Sequence, residues 1–155
     1  MRLVTFVNWL YLGQKQYGLQ SAHVLGDMLV KYAHDAKQSA FILDWAANHK
    51  TIIIKNGVNS GTVRRIKQQL WLSPYPQALF CEDEESLDGA ATACGIIIPN
   101  GVAIYADGVR NKEITPALQD QTPSEYDLAP LVFDGHMLTL QDLVLADLMN
   151  QYSLA

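Results

Sequence analysis

Apolar positions along the chain fall into short dense runs separated by longer stretches of helical spacing. Arg2 to Trp9 is rich in Val, Phe and Leu and reads as a first strand. Tyr11-Leu12-Gly13 turns the chain into a helical stretch from Lys15 to His34. At about 100° per residue, Ala22, Leu25, Leu29, Tyr32 and Ala33 gather on one side, the face expected to meet a sheet. Gln16, Gln20, His23 and Asp27 fall within roughly 60° of one another on the other side. His23 and Asp27 also have the i, i+4 spacing of a paired histidine and carboxylate on an ordinary solvated face.

A second helix is expected from Lys37 to Ala47, presenting Phe41, Ile42, Trp45 and Ala46 inward. Thr51 to Lys55 is β-branched and bounded by Asn56-Gly57, so it reads as a buried strand ending in a turn. Ser60 or Thr62 is expected to cap a third helix, which runs to Leu72 before Pro74 and Pro76 close it. Gln77 to Cys81 reads as a short strand, followed by an acidic loop from Glu82 to Gly89. Thr92 to Ile98 is almost continuously apolar, as in a strand covered on both faces. Pro99-Asn100-Gly101 turns the chain over, and Val102 to Tyr105 is expected to pair back beside it. Periodicity is lost from Asp107 to Gly135, which reads as loop. It returns in a last helix from Leu138 to Tyr152, where Thr139 and Asp142 have the spacing of a capping box.

Strands alternating with helices predict an α/β fold: a mixed, mostly parallel sheet with helices on both faces, plus a C-terminal helix. A length of 155 residues suits a single domain, 1–155, with a core at 1–106 and an extension of loop and helix at 107–155. With 49% apolar and 17% charged residues the chain can bury a sizeable core. No apolar run approaches the roughly 20 residues that span a bilayer, and the opening residues lack the pattern of a signal peptide. A membrane partner is therefore not expected, and a cytoplasmic location is. Cys81 and Cys94 sit in apolar segments without C-x-x-C spacing, as reduced core thiols do. His23 and Asp27 lack a third metal ligand, so no metal site is expected.

The net charge of −5 limits any contact with a phosphate backbone to a local basic surface. Arg64, Arg65 and Lys67 on the third helix, with Lys55 upstream, are the candidates; the plainer reading is a solvated helix face. Ser60-Gly61 before that helix can cap it or offer N–H groups to a phosphate. Acidic residues concentrate in Glu82-Asp83-Glu84-Glu85 and in the C-terminal third.

Three segments together resemble the type 2 peptidyl-tRNA hydrolase family. Gln20-Ser21-Ala22-His23-Val24 is similar to the Q-x-x-H of its first helix. Trp45 to Lys55 resembles its apolar-Trp helix leading into a strand. Leu79 to Asp83, a loop, and then Thr92 to Pro99 resemble its closing strands. The likeness covers residues 2–99. It implies hydrolysis, without metal or other cofactor, of the ester between a peptide or aminoacyl group and tRNA, by a monomer or a homodimer. Carried over by position, the family's helix lysine falls on Gln16, with Lys15 one step and about 100° away. Its aspartate falls on Asp83, with Glu82 and Glu84 as competitors, and Ser86 lies in the region of its loop threonine. The expected catalytic groups are thus Asp83, Gln16, His23 and Lys15, with Gln20, Arg64, Arg65 and Lys67 binding tRNA. The Gln16 departure and the negative charge fit a second reading, a binding or regulatory module on the same fold without catalysis.

Overall fold

A computed structural model of the chain describes residues 1–10, 13–117 and 131–155. They divide into two compact units, Met1–Ile98 with Tyr152–Ala155, and Pro99–Gln151. The turn expected at Tyr11-Leu12, and residues 118–130 of the loop expected after Asp107, lie outside the described residues.

The first unit is built on a four-stranded sheet. Strands β1 (Arg2–Val7), β2 (Ile52–Asn56), β3 (Gln77–Cys81) and β4 (Ala91–Ile98) lie in the order β2-β1-β4-β3. β1 and β2 are parallel, with Leu3 opposite Ile52 and Val7 opposite Asn56. β4 is antiparallel to both β1 and β3. The mixed α/β architecture is the expected one, but the sheet is mostly antiparallel and not mostly parallel. The reason is the link into β4: Glu82 to Ala90 is shorter than the dozen or so residues a parallel crossover takes, so β4 folds back beside β3.

Helices cover both faces. On one, α1 (Gln14–Lys31) and α2 (Ala36–Asp44), the latter prolonged by a π-helical turn at Trp45–His49, close over Leu3, Val7, Ala93 and Ile97. Val24, Met28, Ile42 and Trp45 are their contributions to that core. On the other, α3 (Ser60–Leu70) packs along β4 and buries Val63, Ile66 and Leu70. Gly95 fixes how closely α1 approaches. A Cβ there would lie 3.0 Å from Val24 Cγ1, Thr5 Cγ2 and the Val4 carbonyl oxygen.

The buried stripe of α1 is Tyr17, Gln20, Ser21, Val24 and Met28. Ala22, Leu29 and Ala33, expected inward, are exposed, and Leu25 and Tyr32 are only partly buried. The helix is thus turned by about 120° from the apolar face of its wheel. The sheet supplies the reason. Thr5 meets Ser21 hydroxyl to hydroxyl at 2.8 Å, and the Thr92 hydroxyl donates to Gln20 Oε1 at 2.9 Å. With those partners the two polar side chains are buried satisfied, and the stripe need not be apolar.

α3 is capped by Asn59, whose Oδ1 accepts the Thr62 N–H at 2.9 Å, and not by Ser60 or Thr62. The Ser60 hydroxyl is committed elsewhere, to the Ala91 N–H at 2.9 Å. The last residues of the chain return to β2. The Asn56 N–H donates to the Ser153 carbonyl and the Ala155 N–H to the Ile54 carbonyl, both at 2.9 Å. The Lys55 amine, buried, donates to the Tyr152 carbonyl at 3.1 Å.

The short helix α4 (Glu84–Leu87) completes the first unit, and the second unit comprises helix α5 (Asn100–Arg110), a hairpin of β5 (Val132–Phe133) and β6 (His136–Met137), and helix α6 (Leu140–Asn150). Val102 to Tyr105, expected to be a strand, belongs to α5. Its buried positions run Gly101, Val102, Ala103, Tyr105, Ala106 and Gly108, so nearly continuous burial hides the helical period. The boundary expected after residue 106 falls inside this helix. α6 starts with the expected capping box. The Asp142 N–H donates to Thr139 Oγ1 at 3.2 Å, and the Thr139 N–H to Asp142 Oδ2 at 3.0 Å. No helix among the described residues is long and apolar enough to cross a membrane.

Candidate functional site

Because β3 is antiparallel to β4, and β4 to β1, the carboxyl ends of β1, β2 and β3 share one edge of the sheet, where β4 begins. Open α/β sheets bind ligands outside the carboxyl ends of their strands. Buried polar side chains collect at this edge. Asn8, just past β1, donates from Nδ2 to the Ala91 carbonyl at 3.4 Å and accepts the Leu10 N–H at 3.0 Å. Thr92, which opens β4, donates its hydroxyl to Gln20 Oε1. Gln20 in turn donates from Nε2 to Glu82 Oε1 at 3.1 Å. Thr92 and Gln20 are sealed, whereas Glu82 is half-buried. The three form a line of hydrogen bonds from the sheet interior to a carboxylate at the rim.

The expected residues divide around that line. Gln20 and His23 are brought to the end of β3, His23 by stacking on Phe80 with ring centres 4.4 Å apart and planes 9° from parallel. No hydrogen bond or ion pair joins His23 to Asp27. The acid that meets α1 is Glu82, not Asp83. Asp83 instead caps the four-residue helix α4, its Oδ1 accepting the Ser86 N–H at 2.7 Å. Ser86 is thereby the partner of the acid. Gln16 is exposed on the first turn of α1, where its Oε1 accepts the Gly13 N–H at 2.9 Å. Lys15 is exposed beside it.

The basic residues of α3 do not form one patch. Arg64 donates to the Gly89 carbonyl at 2.9 Å, pinning the loop before β4. Arg65 turns to its own helix, donating to Thr62 Oγ1 at 3.1 Å. Lys67 reaches the opposite end of β3 and donates to Gln77 Oε1 at 2.9 Å. On a helix these three point in different directions, which the spacing in the sequence already implies.

Electrostatics sort the titratable groups. Hydrogen bonds from the Ser86 hydroxyl and N–H hold the Asp83 carboxyl below the usual carboxylate value, which suits a cap better than a proton acceptor. Burial pushes the Cys94 thiol well above the ordinary thiol range, so it is no nucleophile at neutral pH. Among the described residues no three His, Cys, Asp or Glu side chains are grouped to hold a metal ion.

Glu82 and Thr92 were within reach of sequence reasoning through strand alternation. Phe80 and Glu82 lie two residues apart and both meet α1, so alternation marks Glu82 as the acid in phase with the inward aromatic. No signal marked Asn8. No family model matches the chain, and no curated protein does.

Proposed function

We propose that the first unit is a divergent hydrolase of the peptidyl-tRNA hydrolase kind, cleaving without a metal the ester between a peptide or aminoacyl group and tRNA. The observation that carries this reading is the Thr92–Gln20–Glu82 line at the carboxyl edge of the sheet. A carboxylate held by a single amide hydrogen at a rim can orient and deprotonate water, the task of a general base. Gln16 uses its amide oxygen on Gly13, which leaves its NH2 as a donor for the tetrahedral oxyanion, with the Lys15 amine on the same turn. Arg64 and Arg65, exposed on α3, offer charge to the tRNA backbone. Glu82 takes over the role that the resemblance gives to Asp83. The reading implies a cytoplasmic protein working as a monomer or a homodimer.

The second reading, a tRNA-binding module without catalysis, draws on a different observation. Gln16 and Asp83, the two positions that inherit the family's lysine and aspartate, are both engaged in capping their own helices. Hydrolysis of N-acetylaminoacyl-tRNA, run beside a filter-binding measurement, separates the two. The hydrolase reading expects turnover by the wild type, a loss of about 100-fold in Glu82→Gln, and little change in Asp83→Asn. Binding without turnover leaves the module. Neither binding nor turnover ends both.

A further inference from the structure

The far end of β3 carries a second site. Between the C-terminal turns of α1 and α3 lies a cavity of about 320 Å³, at the lower end of the range for small-molecule sites. Its floor is Gln77, the first residue of β3, and it stands roughly 16 Å along the strand from Glu82. Every polar group of that glutamine is engaged. Its Nε2 donates to the Leu70 carbonyl at 2.6 Å, its backbone N–H donates to the Tyr32 hydroxyl at 3.3 Å, and its two oxygens each accept a lysine. Lys31 Nζ lies 3.1 Å from the backbone oxygen and Lys67 Nζ 2.9 Å from Oε1.

Two amines therefore converge on one residue, and no described carboxylate lies within ion-pair distance of either. Burial first, and then the Lys31 charge, hold the Lys67 amine below the usual lysine range. Like charges gathered without a carboxylate beside them are unfavourable, and an arriving anion relieves them. The walls are aromatic. Tyr32, Trp71 and Tyr75 line the cavity, Tyr75 braced by stacking on Phe41 at 5.8 Å and Trp71 lying under Lys67 Nζ at 5.6 Å. Trp71 is 73% exposed, an unusual setting for so large a ring unless something covers it. Ser73 and Gln38 add hydrogen-bonding groups at the mouth.

We propose that this cavity binds a small phosphorylated aromatic molecule of nucleoside monophosphate size, its ring stacked on Trp71 and its phosphate facing Lys31, with the Lys67 amine adding charge from behind Gln77. Planar rings stack on exposed aromatic side chains, and a phosphate dianion matches the Lys31 amine in a wall whose charge is raised by Lys67 nearby. The site is independent of the chemistry assigned to Glu82.

Calorimetric titration of the full chain with AMP, adenosine and inorganic phosphate tests it. AMP is expected to bind below millimolar, with adenosine and phosphate each weaker by about tenfold or more. Lys31→Met keeps the aliphatic stem at an exposed position and is expected to weaken AMP about tenfold while leaving adenosine unchanged. Trp71→Ala should weaken AMP and adenosine together. Absence of AMP binding up to about 10 mM would overturn the proposal. So would phosphate binding as tightly as AMP, or AMP affinity unchanged in either variant.

Discussion

The rotation of α1 rests on hydrogen bonds that replacement in pairs can isolate. In Thr92→Val the Gln20 Oε1 loses its donor at a residue only 4% exposed, where water cannot replace it. A buried acceptor left without a partner costs about 1–3 kcal/mol. Gln20→Leu strands the Thr92 hydroxyl, which is fully buried, at a similar cost of about 1–3 kcal/mol. It also removes the amide donor of Glu82, but water reaches that half-buried carboxylate and softens the loss. In the double variant, valine and leucine meet as an apolar pair and neither partner is stranded. The double variant should therefore cost less than the sum of the two single changes, by about 1–2 kcal/mol. Urea unfolding followed by tryptophan fluorescence is a suitable assay, because Trp9, Trp45 and Trp71 are the only tryptophans and all belong to the first unit. A coupling below about 0.5 kcal/mol would mean that the network does not orient the helix.

The same unfolding assay distinguishes two glycines. Gly95→Ala should destabilise by about 1–3 kcal/mol, since the new methyl meets a carbonyl oxygen that cannot move cheaply. Gly26→Ala, inside α1 with nothing within 4 Å of the new carbon, should instead stabilise by about 0.5–1 kcal/mol; equal effects would contradict the packing of α1 on β4. For Asp83 the folded protein favours the ionised form, so its cap contributes above about pH 4 and fades as pH falls through the lowered folded value. Carboxyl-carbon NMR should find its midpoint below 3.8, moving up in Ser86→Ala; a midpoint at or above 3.8 in the wild type would refute the cap.

Strands were the most legible part of the fold, because β-branched runs at β1, β2 and β4 have few alternative uses. The Thr139–Asp142 box was equally readable, being a local device that tertiary packing did not override. The inward face of α1 was not. A wheel ranks faces by hydrocarbon content, whereas the true face is chosen by hydroxyls on strands far away in sequence. Thr5 and Thr92 become partners of Ser21 and Gln20 only once the sheet exists. The direction of β4 was legible in length alone, since Glu82 to Ala90 is too short for a parallel crossover, but the alternation of strands and helices along the chain masks that limit. At the candidate site, Gln20 and His23 share the polar side of the helical wheel, and the structure sets both beside the end of β3. The acid expected there, Asp83, caps α4 while its neighbour Glu82 meets α1; the two are adjacent and alike in composition, and only the phase of the strand separates them.

β2 ends the sheet, and the strip that shields its outer side comes from the last four residues of the chain. Cutting the polypeptide after Ile98 would thus not release a tidy fragment. It would bare the amide of Asn56 and the carbonyl of Ile54, and deprive the Lys55 ammonium of the Tyr152 oxygen it reaches. An unprotected outer strand of isoleucines invites association with another chain. A shortened version is better made by bridging Ile98 to Tyr152 with a flexible linker, so that the tail still closes the edge.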